Sequence, residues 1–206
     1  QQVSDFIEDN RAHMPKPNSD FVTGHDPEFS QKLGEHGWIG MTWPTDVGGS
    51  DKTNFERLVV TEELLAAGAP VSAHWIADRQ SGPLLLRFGT EEQRAKYLPG
   101  IARGESYFSI GMSEPDTGSD LASVRTTATA EGDAYRINGT KIWTTLAHIA
   151  DWIFCLTRTS DSGKKQEGIT FLLIPMKQAG IDVKPIITLG GSHSCLLYTS
   201  PSPRDS

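Results

Sequence analysis

Long apolar runs are missing from this sequence, and none approaches the ~20 residues of a membrane-spanning helix. Cationic charge is scarce too: 19 Lys and Arg stand against 26 Asp and Glu, a net charge of −7. That balance argues against a general nucleic-acid or anionic-membrane surface, so a phosphate-bearing ligand has to be gripped locally, by turns and single residues. Cys, His and acidic residues nowhere gather at metal-ligand spacing, which leaves no candidate metal site. His36, His74 and His148 therefore read as surface or satisfied core residues. Internal repeats are absent as well. No leader is visible, but the chain opens on "QQVSDF" without a Met, so nothing follows from that.

Cysteine is nearly missing, with only Cys155 and Cys195. Whether they can pair depends on the tail, "SHSCLLYTSPSPRDS". Its Cys195–Asp205 stretch resembles a translated transposase sequencing adapter at all eleven positions. A natural Ser/Pro-rich linker is the alternative that composition offers. On the adapter reading residues 195–206 are non-native and the native chain stops near Ser194, inside a domain. Cys155 is then alone, no intrachain disulfide is available, and a reducing compartment is expected.

What is present suffices for a real core: 206 residues, 37% hydrophobic and 22% charged, make one large domain or two small ones. Residues 1–106 read as helices. "SDFIEDNRA" is the end of one, stopped by Pro15 and Pro17, and a short helix from Pro27 to His36 sets Phe29 and Leu33 on one face. "TNFERLVVTEELLAAGA" is amphipathic, with Phe55, Leu58, Val59, Leu65 and Ala66 at helical period. Pro83 breaks or restarts the next helix, and Thr90 caps the last. Trp38 and Trp43, in a Gly/Pro-rich loop, read as core plugs. After Gly104 the pattern turns to short β-branched and aromatic runs split by Gly, Asn and Asp. "EGD" and "NG" read as hairpin turns, which makes "RINGTKIWTT" strand, turn, strand. The fold class expected is α+β, a helical domain followed by an antiparallel β domain over residues 107–194.

At the join stands "GMSEPDTGSD", Gly111 to Asp120. Backbone N–H groups and small hydroxyls at such a turn can make an anion-binding concavity. An ordinary Asx- or Ser-rich turn suits the same residues. Taken singly, Trp143 suits core packing and Thr145 a strand. The acid pairs Glu62–Glu63 and Glu91–Glu92 read as helix-face and helix-start charges, and none has the setting of a general base.

"SEPDTGSD", then "INGTKIWTT", then Ala150–Asp151, with "FGTEEQRAKYLPGIARGE" upstream, resembles the acyl-CoA dehydrogenase family across Gln1 to Ser194. The resemblance implies an N-terminal helical domain, a middle antiparallel β-barrel and a C-terminal helical bundle that this chain lacks. It implies FAD as cofactor and an acyl-CoA thioester as substrate, oxidised at its α,β bond. Electrons then pass to an electron-transfer flavoprotein. Ile110, Gly111, Met112 and Ser113 would run along the flavin's polar edge. Thr117, Gly118 and Ser119 would approach the pyrophosphate, with Ser119 also touching CoA. Trp143 would flank the flavin beside Thr144, and the Thr145 hydroxyl would meet N5, where a donor stabilises charge as hydride arrives.

No catalytic residue is expected in the fragment, because the family's glutamate base sits on the missing bundle. The fragment itself is thus expected to be inactive. Thr117, where the family has a smaller residue, is expected to shift the turn, and Leu146 to alter the pocket mouth. "TTLAH" is closer to the branch handling bulky acyl groups such as steroid or dicarboxylic thioesters. A dimer or tetramer in the cytoplasm, or in a mitochondrial matrix, completes the expectation. A flavin-dependent oxidase on the same fold, or a non-catalytic helical/β binding module, is the alternative.

Overall fold

Capping residues and prolines decide where the helices of the first half begin. In the computed structural model, which describes residues 1–14, 25–187, 189, 191 and 195–200, α1 spans Gln2–Asn10 and α2 spans Pro27–Glu35. The side chain of Asp26 caps α2 by accepting from the Phe29 amide at 3.0 Å, and Pro27 opens its first turn. Pro15 and Pro17, read as the stop after the first helix, lie outside the described residues. The helix α3, Asn54–Ala66, and α6, Glu91–Ala102, each start on a reciprocal capping box, Thr53 with Glu56 and Thr90 with Gln93. Between them α4, Ser72–Ile76, widens into a π turn over Ala77–Ser81 before α5, Gly82–Phe88, restarts the helix with Pro83 in its first turn.

These helices make a compact unit, Gln1–Tyr107, and Phe108–Ser206 makes a second. The core of the first gathers Phe6, Ile7, Phe29, Leu33, Ile39, Trp43, Leu98 and Ile101. Burial of those side chains at about 25 cal/mol per Å² of apolar surface is what holds short helices together. The apolar face of α3 is a correction to its amphipathic reading. Val60 and Leu64 are buried, whereas Phe55, Leu58, Val59 and Leu65 are exposed. Phe55 and Val59 line an open groove of about 660 Å³ together with Val3, Trp38 and Met41.

The second unit is β1 Phe108–Gly111, β2 Thr127–Glu131, β3 Ala134–Thr145, β4 Trp152–Arg158, β5 Ile169–Pro175, β6 Asp182–Ile186 and β7 Cys195–Ser200. Its strands pair in the order β1-β4-β2-β3-β7-β6, with β5 on β4. The pairs β2–β3, β4–β5, β3–β7 and β6–β7 are antiparallel, while β1 and β2 run parallel to β4, so the sheet is mixed. Ala147, Ala150, Ile153, Cys155, Ile174 and Met176 form one buried cluster. Cys155 is a free buried thiol whose pKa burial pushes up to about 11, so it is inert at neutral pH. The backbone of Cys195–Ser200, read from sequence as part of a tail outside the fold, pairs here with both β3 and β6. Residues 201–206 lie outside the described residues.

One turn expectation fails. Gly132 turns the β2–β3 hairpin in the left-handed region, as "EGD" suggests, but β3 passes unbroken through Asn138–Gly139. Residues 134–138 of β3 pair with β2 and residues 139–145 with β7, so Gly139 stands where the strand changes partner. A Cβ there would collide with the Thr126 side chain, which is why glycine is needed in a strand interior. Among the described residues no helix is long and apolar enough to cross a membrane, and no His/Cys/Asp/Glu group could hold a metal.

Candidate functional site

The residues from Ile110 to Ser119 and from Trp143 to Thr145 all belong to the β unit, and two strands bring them together. Met112 and Ser113 follow the end of β1, and the Ser113 carbonyl accepts from the Ile142 amide at 2.9 Å. Ser109, on β1, donates from its hydroxyl to the Thr145 carbonyl at 2.8 Å. The loop after β1 is thus stitched at both ends to the last residues of β3. Gly111 is explained by packing rather than by a ligand: a Cβ there would sit 3.0 Å from Ile153 Cδ1 and 3.1 Å from the Phe154 carbonyl oxygen.

Glu114 and Thr117 close the next turn with two backbone bonds, Glu114 N to Thr117 O at 2.8 Å and Thr117 N to Glu114 O at 3.0 Å. Thr117 is built into this turn. Its side chain is buried, and the hydroxyl donates to the Ser123 carbonyl at 3.2 Å, so the branch helps to fix the turn. Gly118 and Ser119 are exposed. Gly118 does not have a left-handed φ, and a Cβ added to it would meet no protein atom within 4 Å. The space beside this backbone is open to a ligand. Asp120 beyond it is held by Ser123 and Lys165.

The end of β3 is irregular where regularity would bury the wrong side chain. Lys141 pairs with Tyr198 and Thr144 with Leu196, so three steps on β3 match two on β7 and one residue is extra. Such a bulge re-aims side chains, and here Lys141 and Thr144 are both wholly buried, although an odd separation would put them on opposite faces. Trp143 takes φ +60° and leaves its large side chain 56% exposed. Left-handed backbone is rare for any bulky residue and is held only where the surroundings over-determine it. Thr145 is half-buried beside it. Leu146, also at a positive φ of 57°, turns inward and is buried, so it belongs to the core and not to a pocket mouth.

Beneath these residues lies a feature that sequence reading missed. The Lys141 ammonium, fully buried, donates to Glu114 Oε1 at 2.8 Å and to the Met112 carbonyl at 3.2 Å. The Glu114 carboxylate also accepts from the amides of Thr126 at 2.9 Å and Arg125 at 2.8 Å. Burial pushes the Glu114 carboxyl pKa up, but the bonds from Lys141 and from those amides outweigh it and hold the group below its ordinary value. Glu114 is therefore charged, saturated and unsuited to proton abstraction near neutral pH. The available signal was one Lys beside Ile142 and Trp143 near a strand end and one Glu in a turn of small residues.

Taken together these residues suit the flavin implied by the motifs. An aromatic face stands in solvent, small hydroxyls lie beside it, and a glycine borders open space. Residues 1–105 match the acyl-CoA dehydrogenase N-terminal domain and residues 109–198 the acyl-CoA dehydrogenase middle domain. Acyl-CoA dehydrogenase FadE26 of Mycobacterium tuberculosis is 38% identical over 176 residues, which cover 84% of this chain and 44% of that protein. A solved steroid ACAD, Tcur3481-Tcur3483, superposes with a TM-score of 0.83 at 35% identity, covering 97% of this chain and 54% of that one. A glutaryl-CoA dehydrogenase from Mycobacterium smegmatis in complex with FADH2 does so with a TM-score of 0.76 at 25% identity, covering 98% and 52%. The chain spans about half the length of the relatives it matches.

Proposed function

The chain belongs to the acyl-CoA dehydrogenase family, and from that premise we propose that the complete protein oxidises an acyl-CoA thioester to the 2-enoyl-CoA with FAD. Bound FAD supplies the acceptor for the hydride that leaves the β-carbon. Backbone groups of Ile110–Ser113 and the Ser113 hydroxyl bind its polar edge, Gly118 and Ser119 its pyrophosphate, and Thr145 donates a hydroxyl beside Trp143. Ser119 also serves the CoA portion. Glu114 is locked by Lys141, so the proton on the α-carbon goes to a carboxylate in the part of the relatives' length that this chain does not span. An electron-transfer flavoprotein then takes the electrons, within an oligomer. A bulky or dicarboxylic acyl group is the substrate class favoured by "TTLAH", and the buried free thiol of Cys155 suits a reducing, cytoplasmic setting.

One observation carries this reading. The bulge in β3 holds Trp143 out of the core at a left-handed φ, beside the loop of small hydroxyls. No stability argument accounts for an exposed tryptophan on strained backbone, whereas an aromatic wall for a planar ring does. The test is an amide NMR titration of the 206-residue chain with FAD. Saturable shifts confined to residues 110–119 and 143–145 are expected, with no acyl-CoA-dependent dye reduction. A complete protein that is purified colourless and ignores added FAD would instead be the binding module, and turnover by the 206-residue chain would place a base within these residues.

A further inference from the structure

Ion pairs this deeply buried seldom exist for stability alone. Removing two charges from water costs several kcal/mol per ion, and well-packed apolar residues often hold a fold as well or better. The Glu114 and Lys141 side chains are 6% and 0% exposed, and they join three separate stretches. The first is the turn Met112–Thr117, the second the entry to β2 at Arg125–Thr126, and the third the bulged end of β3. What a methionine at position 141 could not do is donate into the Met112 carbonyl.

We propose that Lys141, seated by Glu114, is a positioning residue for the flavin edge, acting through the Met112–Ser113 peptide. The inference rests on the flavin reading above. A trans peptide points its C=O and N–H in opposite directions. With the Met112 oxygen drawn to the buried ammonium, the Ser113 N–H points away from it, on the side opposite the interior. The Ser113 carbonyl is fixed in turn by the Ile142 amide at 2.9 Å, and the following Glu114 N–H by the Thr117 carbonyl. Both peptides flanking Ser113 are thereby oriented, the first by a cation and the second by a strand. Lys141 also stands at the edge of the register shift that contains Trp143, so the cation and the exposed aromatic lie on the same strand end.

The test compares the 206-residue chain with Glu114→Gln and with the double variant Glu114→Gln/Lys141→Met. The double variant leaves no buried charge but offers one oxygen to the Arg125 and Thr126 amides, which bond different oxygens of Glu114, so hydrogen exchange at both amides is measured alongside as the check that the turn is intact. FAD affinity by NMR titration should fall at least tenfold, and the absorption maximum of bound flavin should shift. Glu114→Gln alone strands the buried Lys141 cation without its carboxylate, so it is expected to destabilise the chain more than the double variant does. Wild-type affinity and spectrum in the double variant would overturn the inference while leaving the flavin reading intact. A loss of affinity accompanied by faster hydrogen exchange throughout the β unit would overturn it too, by making the pair a general support. Should the double variant unfold, Lys141→Arg, which keeps a cation able to donate to the Met112 carbonyl, decides: retained FAD affinity upholds the inference, and a tenfold loss in the folded variant overturns it. A wild-type chain that binds no FAD would remove the reading and the inference with it.

Discussion

The two units treat their tryptophans in opposite ways. Trp43, in the helical unit, is 2% exposed, and the glycines around it leave room for nothing else. A Cβ on Gly40 would stand 2.8 Å from its ring, and one on Gly49 or Gly82 would collide with Trp43 outright. Trp143, in the β unit, is 56% exposed and pays for that with a left-handed φ. One aromatic is enclosed by residues that lack side chains; the other is held outward by backbone distortion. Packing explains the first completely. The second has no such enclosure, and that contrast is what the proposed flavin wall rests on, where composition alone could not tell the two rings apart.

The largest expected effect breaks this comparison most directly. Trp43→Ala should destabilise the chain by about 3–5 kcal/mol, the usual cost of emptying a well-packed aromatic site. Trp143→Ala should change stability by under about 0.5 kcal/mol, as exposed positions do, and abolish the FAD-dependent shifts. Urea denaturation of both variants checks the pair. A Trp143→Ala loss approaching that of Trp43→Ala would make the exposed ring structural and empty the contrast.

Buried titratable groups sharpen it next. In the helical unit His74 is enclosed with its Nδ1 2.9 Å from the Ser30 hydroxyl, and burial, helped by the Arg79 cation, lowers its pKa to about 3. Below the unfolded value of 6.5 the unfolded chain takes a proton that the folded chain refuses. Stability conferred by neutral His74 is thus present above pH 6.5 and lost as pH falls toward 3, by about 1.4 kcal/mol per unit. Asp78 opposes part of this: burial raises its carboxyl despite Arg79 at 2.7 Å, so it favours the folded state as pH falls. The His74 share is isolated by subtracting His74→Gln, measured from pH 7 to pH 4, and a flat difference would refute it. In the β unit the lowered Glu114 pKa gives the same sign but a later window. Its contribution is present above the ordinary 4.5 and disappears only as pH falls through the lower folded value.

How much of this was legible in the sequence follows the range of the interactions. Caps act within three or four residues, so Thr90 announced its helix, and Asp26 and Thr53, which the sequence reading passed over, cap theirs in the same local way. The motif residues marked the candidate site because small hydroxyls and glycines recur at a join between two periodicities. Asn138–Gly139 misled, since the dipeptide favours a turn locally, while Thr126, far along the chain, is what demands the glycine. The apolar stripe of α3 gave the helix correctly but not its surroundings, for periodicity records a face and not what covers it. The Glu114–Lys141 pair spans 27 residues, and neither local pattern carries any trace of the partner.

The smallest effects come from two glycines of one motif, and they test the distinction at its finest. Gly111 and Gly118 both read from sequence as places where backbone approaches a ligand. Around Gly111 a Cβ falls 3.0 Å from Ile153 Cδ1 and 3.1 Å from the Phe154 carbonyl oxygen, tighter than ordinary contact. Gly111→Ala should therefore cost about 1 kcal/mol or more, as overpacking does. Around Gly118 the added carbon meets nothing, and its φ lies outside the left-handed region. Gly118→Ala is expected to leave stability unchanged or raise it by about 0.4–1 kcal/mol, because alanine reduces the freedom of the unfolded chain. Its cost should appear only with ligand, as a several-fold loss of FAD affinity where the methyl occupies space meant for pyrophosphate. Paired melting curves with and without FAD separate the two. Equal FAD affinity in Gly118→Ala and wild type would mean that the open space beside Gly118 is not part of the cradle, and that the glycine serves neither packing nor cofactor.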